Sequence, residues 1–164
     1  MRVCSWTVTV SINMIEILCI GKIKDKNLNN LIDDYISKIS HYHSVSIKEL
    51  NAVKNGEINK IIEEESNELL SKINDKDYVF LLDLHGKSID SIKLAKQLDN
   101  CLCYYNKIVF VIGGSYGLSD KLRKRANLSI KLSDLTFLHT FTRVIILEQI
   151  YRCFKINNNE DYHK

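Results

Sequence analysis

Apolar residues fall into two patterns along this chain: short continuous runs, and longer stretches where they recur every three or four positions. The continuous runs lie in "MIEILCIGK" (14–22), "YVFLLDL" (78–84) and "KIVFVIG" (107–113). Runs of this length bounded by turn residues read as strands covered on both faces. "SVSIKEL" (44–50) alternates and is rich in β-branched residues, which predicts a further strand. Helical spacing appears in "DKNLNNLIDDYISKIS" (25–40), where Leu28, Leu31, Ile32, Tyr35, Ile36 and Ile39 share a face. It recurs in "EINKIIEEESNELLSKI" (57–73), whose Glu63, Glu64 and Glu65 read as a solvated face, and in "IDSIKLAKQLDNCL" (89–102). Gly86 is expected to end the strand before it, and Ser88 to cap the helix that follows.

The last third continues the alternation. "LSDKLRKRAN" (118–127) predicts a short basic helix, "LSIKLSDLTFLH" (128–139) a strand that turns into a loop, and "TRVIILEQIYRCFKI" (142–156) a long final helix. Strands alternating with helices specify an α/β fold, a parallel sheet with helices on both faces. Ligands in such sheets bind beyond the carboxyl ends of the strands. Three loops lie there: 82–87, 113–117 and 132–139.

Composition narrows the class without choosing a function. A chain of 164 residues, 45% hydrophobic and 26% charged, suits one soluble domain. A net charge of +3 permits an anionic partner but is far from the excess that announces nucleic-acid binding unaided. The five cysteines, Cys4, Cys19, Cys101, Cys103 and Cys153, contain no C-x-x-C pair. That argues against a disulfide framework or a zinc site and for buried thiols in a reducing compartment. Residues 1–13 lack the basic start and cleavage site of a secretory signal and read as an extension outside a single domain spanning 14–164. No apolar run approaches the ~20 residues of a membrane span, and a cytoplasmic location is expected.

The candidate chemistry centres on "GGSYG" (113–117). It fits neither G-x-x-x-x-G-K-[ST] nor G-x-G-x-x-G, so a phosphate cradle of either kind is excluded. Two readings stay open: a tight turn, or close backbone approach to some other ligand. His85, just past a buried strand, is either a catalytic or a loop-satisfied histidine, and Asp83, near that strand's end, either a ligand-binding carboxylate or a capping residue. "KLRKR" (121–125) is either a phosphate-contacting or a solvated helix face. The final helix carries apolar residues on more than one stripe, as a core helix or a dimer helix would, and Glu148 and Arg152 are spaced to pair. Arg143 falls in its expected first turn, where the helix dipole disfavours a cation, which suggests an anion nearby. At the chain end, Tyr162 and His163 in "YHK" offer a stacking ring and a group that exchanges protons near neutrality.

"VFVIGGSYGL", "LSDLTFLHTFTRVIILEQIYRCFKI" and the terminal "YHK", together with "IGKIKDK" and "LDLHGK", resemble the RlmH family of ribosomal RNA large-subunit methyltransferases. The resemblance runs from about Met14 to Lys164. It implies a SPOUT-type fold with a C-terminal trefoil knot, a homodimer, and S-adenosylmethionine as cofactor. It also implies methylation of N3 of a pseudouridine in helix 69 of 23S rRNA, within the 70S ribosome. The cofactor positions carry over to Leu82, to Gly113 with Gly114, and to Leu132, Ser133, Asp134, Leu135, Thr136 and Phe137. With that chemistry in view, His163 is the candidate base, Tyr162 the candidate stacking ring, and Arg143 the candidate anion-holding group. One departure is Leu138, which precedes His139 where relatives carry proline. Two neighbouring functions remain as alternatives: a SPOUT RNA 2′-O-ribose methyltransferase, and a non-catalytic ribosome-binding module.

Overall fold

The computed structural model describes residues 13–164. The reading of 1–13 as an extension therefore lies outside the described residues, except at Asn13, whose side-chain amide donates to the Leu102 carbonyl at 2.7 Å. Ten elements alternate: β1 (Met14–Ile20), α1 (Lys26–Ser40), β2 (Val45–Leu50), α2 (Ile58–Ser71), β3 (Tyr78–Ser88), α3 (Ser91–Tyr104), β4 (Lys107–Ile112), α4 (Asp120–Arg125), β5 (Leu128–Lys131) and α5 (His139–Asn157). All five strands are parallel, in the order β2-β1-β4-β3-β5.

The order follows from a single hand of crossover. The steps β1→β2 and β3→β4 move one way across the sheet and carry α1 and α3 on one face. The steps β2→β3 and β4→β5 move the other way and carry α2 and α4 on the opposite face. A parallel crossover keeps one hand, so reversing direction reverses the face. Strand pleating then sorts the side chains: Ile15, Ile17 and Cys19 join the α1–α3–α5 core, and Leu18 and Ile20 the α2–α4 core. Phe80 and Phe110 stack across β3 and β4 with ring centroids 4.6 Å apart and planes 4° apart. Each such fully buried side chain contributes roughly 1.5–3 kcal/mol, which makes the two sheet faces the main source of stability.

Three local expectations change in the tertiary structure. Gly86 does not end β3; the strand continues to Ser88, with a shift of register against β5 between Leu82 and Lys87. A Cβ at Gly86 would stand 2.7 Å from the backbone N of Ile130, so glycine is there for close strand approach, not for a turn. Ser88 is consequently inside the strand. The cap of α3 is Asp90, whose carboxylate accepts the Lys93 amide at 2.7 Å. Glu65 is not on a solvated face; it is 5% exposed and sits against the strand ends.

After β5 the chain does not stop at its sheet edge. It returns through residues 132–138, past the carboxyl ends of β3 and β4, to place α5 against α1 and α3. That return path brings the last of the three candidate loops back beside the other two.

Candidate functional site

The carboxyl ends of β3, β4 and β5 open into a cavity of about 760 Å³. That volume is within the ordinary range for a small-molecule site. Leu82, Gly113, Gly114, Leu132, Ser133, Leu135, Thr136 and Phe137 line it, so the three loops picked from sequence do converge. Asp134, Arg143, Tyr162 and His163 are not among the lining residues.

Each wall has a local cause. In the 131–135 turn, the Ser133 hydroxyl accepts the Leu135 amide at 3.0 Å, and Asp134 pairs with Lys131 at 2.5 Å. The Lys131 ammonium, by hydrogen bond and charge, holds the Asp134 carboxyl below its usual range. Asp134 therefore fixes the turn while its neighbours Leu132, Leu135 and Phe137 face the cavity. In the glycine loop, Gly114 and Gly117 form a narrow antiparallel bridge. Leu138 adopts φ −59°, close to the value a proline ring imposes, so the backbone there is one that proline could also adopt.

Polar groups line the floor. Asp83 is buried and accepts Arg123 Nε at 2.7 Å and the His85 amide at 3.1 Å. Burial alone would raise its pKa, but the Arg123 and His85 hydrogen bonds outweigh it and the net shift is downward. His85 and Arg123 both reach the cavity wall. The basic helix is thus largely engaged within the fold: Arg123 holds Asp83, and Arg125 donates to the carbonyls of Asn74 and Asp77 at 2.6 and 3.0 Å. His139 and Thr142 complete the floor from α5. Burial and the nearby Arg143 charge lower the His139 pKa, which keeps its imidazole neutral near pH 7.

Arg143 occupies the second turn of α5, because the helix begins at His139 rather than at residue 142. The dipole argument for it lapses, yet an anion is present. Its Nη1 meets Glu49 at 2.5 Å, and its Nη2 donates to the carbonyls of Ile20 and Gly21 at 2.8 and 2.9 Å. The side chain is fully buried. It pins α5, and with it the 132–138 segment, to the end of β1. Glu49→Gln is expected to lower the unfolding free energy by about 3 kcal/mol, since the guanidinium is left buried without its counter-charge. A urea midpoint equal to that of the parent chain would contradict this account.

The chain end docks on α5, not at the cavity. The Tyr162 hydroxyl donates to Glu148 Oε1 at 3.1 Å, and its ring lies 4.6 Å from the Arg152 guanidinium. Burial, then Tyr35 and Glu148, push the Tyr162 pKa up, so the phenol keeps its proton. His163 Nδ1 lies 3.5 Å from Arg152 Nη1. Glu148 and Arg152 pair at 2.5 Å, as their spacing predicts.

Against known proteins, the family model described as "Predicted SPOUT methyltransferase" matches residues 14–163. The chain belongs to the SPOUT methyltransferase family. Among curated SPOUT relatives, "Ribosomal RNA large subunit methyltransferase H" of Malacoplasma penetrans is 42% identical over 156 residues, covering 92% of this chain and 99% of that protein. The protein of the same name from Clostridium botulinum strain Alaska E43 is 44% identical over 158 residues, with the same coverage. A solved structure, "a probable methylase family protein" from Haemophilus influenzae Rd KW20, shares the fold with a TM-score of 0.52 at 13% identity. That match covers 93% of this chain and 69% of the other.

Within this SPOUT domain, His139 lines the cavity at the end of the expected 132–139 loop, whereas sequence reasoning missed Leu118 and Thr142 as cavity residues, and Asp83 with Arg123 as a unit. The aspartate within an apolar strand and the short basic helix from Asp120 were each visible. Their pairing was not. Cys19, Cys101 and Cys153 are buried as expected, whereas Cys103 is exposed and Cys4 lies outside the described residues; burial pushes Cys19 and Cys153 up to about 12 and Cys101 to about 11, so none of these three is an available nucleophile at neutral pH. No helix among the described residues is long and apolar enough to cross a membrane.

Proposed function

We propose that this protein is an S-adenosylmethionine-dependent methyltransferase acting on large-subunit ribosomal RNA, with N3 of a pseudouridine in helix 69 of 23S rRNA as its target. The observation that carries the reading is the convergence of Leu82, Gly113–Gly114 and the 132–137 loop on one cavity of about 760 Å³. The names of the curated relatives support the rRNA substrate class.

The residues present fit the cofactor. Both loop glycines line the cavity and let the loop pack tightly behind it: a Cβ at Gly113 would overlap Leu118, and one at Gly114 would overlap Glu65. The 132–137 loop offers mainly apolar side chains suited to a nucleoside, and the floor adds the polar groups Asp83, His85, Arg123 and His139. When bound, the cofactor supplies an electrophilic methyl group on sulfur.

The chain's own work is positioning and proton handling. Leu82, Leu132, Leu135 and Phe137 exclude water from the nucleoside side of the site. Gly113, Gly114, Ser133 and Thr136 present backbone polar groups to it, and Asp134 braces that loop through Lys131. The target N3 must shed its proton as it becomes nucleophilic, and the imidazole of His163 takes it. Tyr162 stacks on the base, and Arg143 acts from beneath by holding α5 and the 132–138 segment in place.

The active assembly is a homodimer in the cytoplasm. Tyr162 and His163 rest on α5 away from the cavity of their own chain, so the tail serves the cavity of the partner subunit. Leu84, Tyr116, Leu135, Phe137 and Leu138, at the cavity, leave large apolar side chains exposed, as a subunit contact requires. The return of the chain from β5 past β3 and β4 supports the C-terminal trefoil knot of this reading.

Transfer of tritiated methyl groups to 70S ribosomes from a strain lacking the modification tests this function, with free rRNA in parallel. Label recovered as N3-methylpseudouridine is the expected result. Label on a ribose hydroxyl would replace the target, and no label despite bound cofactor would leave a ribosome-binding module.

A further inference from the structure

Behind the glycine loop lies a second, smaller cavity of about 60 Å³, lined in part by Glu65, Gly114, Ser115, Tyr116 and His139. Gly114, Ser115, Tyr116 and His139 also line the large cavity, so the two spaces share one wall. Glu65 reaches this wall from α2. Its Oε1 accepts the Val53 amide at 3.0 Å, while its Oε2 is buried and has no hydrogen-bond partner among the described residues. That oxygen stands against the bare Cα of Gly114, where any Cβ would overlap it.

An ionised carboxylate with a free buried oxygen needs a counter-charge. The other acids near the site have theirs: Asp83 has Arg123, Asp134 has Lys131, and Glu49 has Arg143. Glu65 has no ion pair among the described residues, and the wall facing it is one glycine thick. A buried, uncompensated carboxylate behind a backbone wall favours a cation on the other side of that wall.

We propose that Glu65 is the counter-charge for a positive group of the bound cofactor, acting across Gly114 as a specificity-determining residue. The inference rests on the cofactor reading above, since S-adenosylmethionine carries both a sulfonium and an α-ammonium. Burial raises the Glu65 pKa, which the Val53 amide only partly offsets; a cation beyond Gly114 draws the group back to its ionised form. Gly114 is then required because any Cβ there would displace the Glu65 carboxylate from the wall.

Calorimetric titration of the full chain and of Glu65→Gln tests this with three ligands. They are S-adenosylmethionine, S-adenosylhomocysteine and the neutral nucleoside thioether methylthioadenosine. Glutamine keeps an oxygen for the Val53 amide, so the fold is expected to survive, as a thermal melt will report. The variant should bind S-adenosylmethionine roughly tenfold more weakly while its affinity for methylthioadenosine is unchanged. Loss for S-adenosylmethionine alone identifies the sulfonium as the partner; equal loss for S-adenosylhomocysteine identifies the ammonium. Unchanged affinity for both charged ligands, or an equal loss for methylthioadenosine, overturns the proposal. Should the amide variant not fold, Glu65→Asp, which keeps the charge but withdraws it, must show the same selective weakening. A parent chain that binds none of the three overturns the cofactor reading and this inference with it. A parent chain that binds all three, with variants that treat them alike, overturns this inference only.

Discussion

Removing residues 162–164 is expected to lower methyl transfer by about 10²–10⁴-fold, the usual contribution of a positioned general base, while leaving cofactor affinity unaltered. The separation of effects follows from where the tail sits. Tyr162 and His163 contact Glu148 and Arg152 on α5, and neither lines the cavity. Their loss leaves the cavity wall and both sheet cores intact. Single-turnover methylation and calorimetry on the same truncated chain measure the two quantities. A truncated chain with undiminished turnover removes His163 and Tyr162 from the mechanism.

The same deletion examines the assembly. A chain lacking 162–164 has an intact cavity, and a chain with a blocked cavity has an intact tail. Mixed dimers of the two regain activity if the tail of one subunit serves the cavity of the other. They stay inactive if each tail serves its own chain.

Gly113→Val supplies the blocked cavity and is the second large effect. A Cβ at this position would overlap Leu118, with the Leu118 Cγ only 3.2 Å away, and would stand 3.3 Å from the Gly117 carbonyl oxygen. Leu118 lines the cavity, so relief of the clash moves a side chain into the space where the cofactor belongs. Overpacking of this kind costs about 1–3 kcal/mol, which corresponds to roughly 5- to 150-fold in affinity when it falls on binding. Leu118 also packs against the α2–α4 core, so a thermal melt should show a lowered but cooperative transition, and affinity is read on the folded variant. Unchanged affinity for S-adenosylmethionine would detach the glycine loop from the cofactor site.

The two variants divide the site as the chain itself does. Leu82, Gly113 and Leu132 were legible in the sequence because each ends an apolar run whose period marks it as a strand, and strand ends collect ligands in parallel sheets. Arg143 was legible only as an arginine in want of an anion. That the anion is Glu49, 94 residues earlier, depends on the packing of α5 beside β1. The start of α5 at His139 rather than residue 142 decided which turn Arg143 occupies. Glu65 was read as solvent-facing because it closes a run of three glutamates, yet the rotation of α2 on the sheet buries it beneath Gly114. Gly86 was read as a strand breaker because its role is to admit the Ile130 backbone, a neighbour that no local pattern reveals.

What the amino-acid sequence determined by itself is what short-range physics controls. Apolar runs, helical periodicity and glycine clusters set the strands, the helices, the parallel α/β class and the three loops that meet at the cavity. The tertiary structure alone decided which polar side chains are buried and with whom: Asp83 with Arg123, Glu49 with Arg143, Glu65 with the Val53 amide but no ion pair among the described residues, and the tail with α5 instead of the cavity. The physical reason is that a charge is stabilised by whichever groups surround it after folding. Those partners come from distant elements that share a place only once the sheet order and the return of the chain across β3 and β4 are fixed.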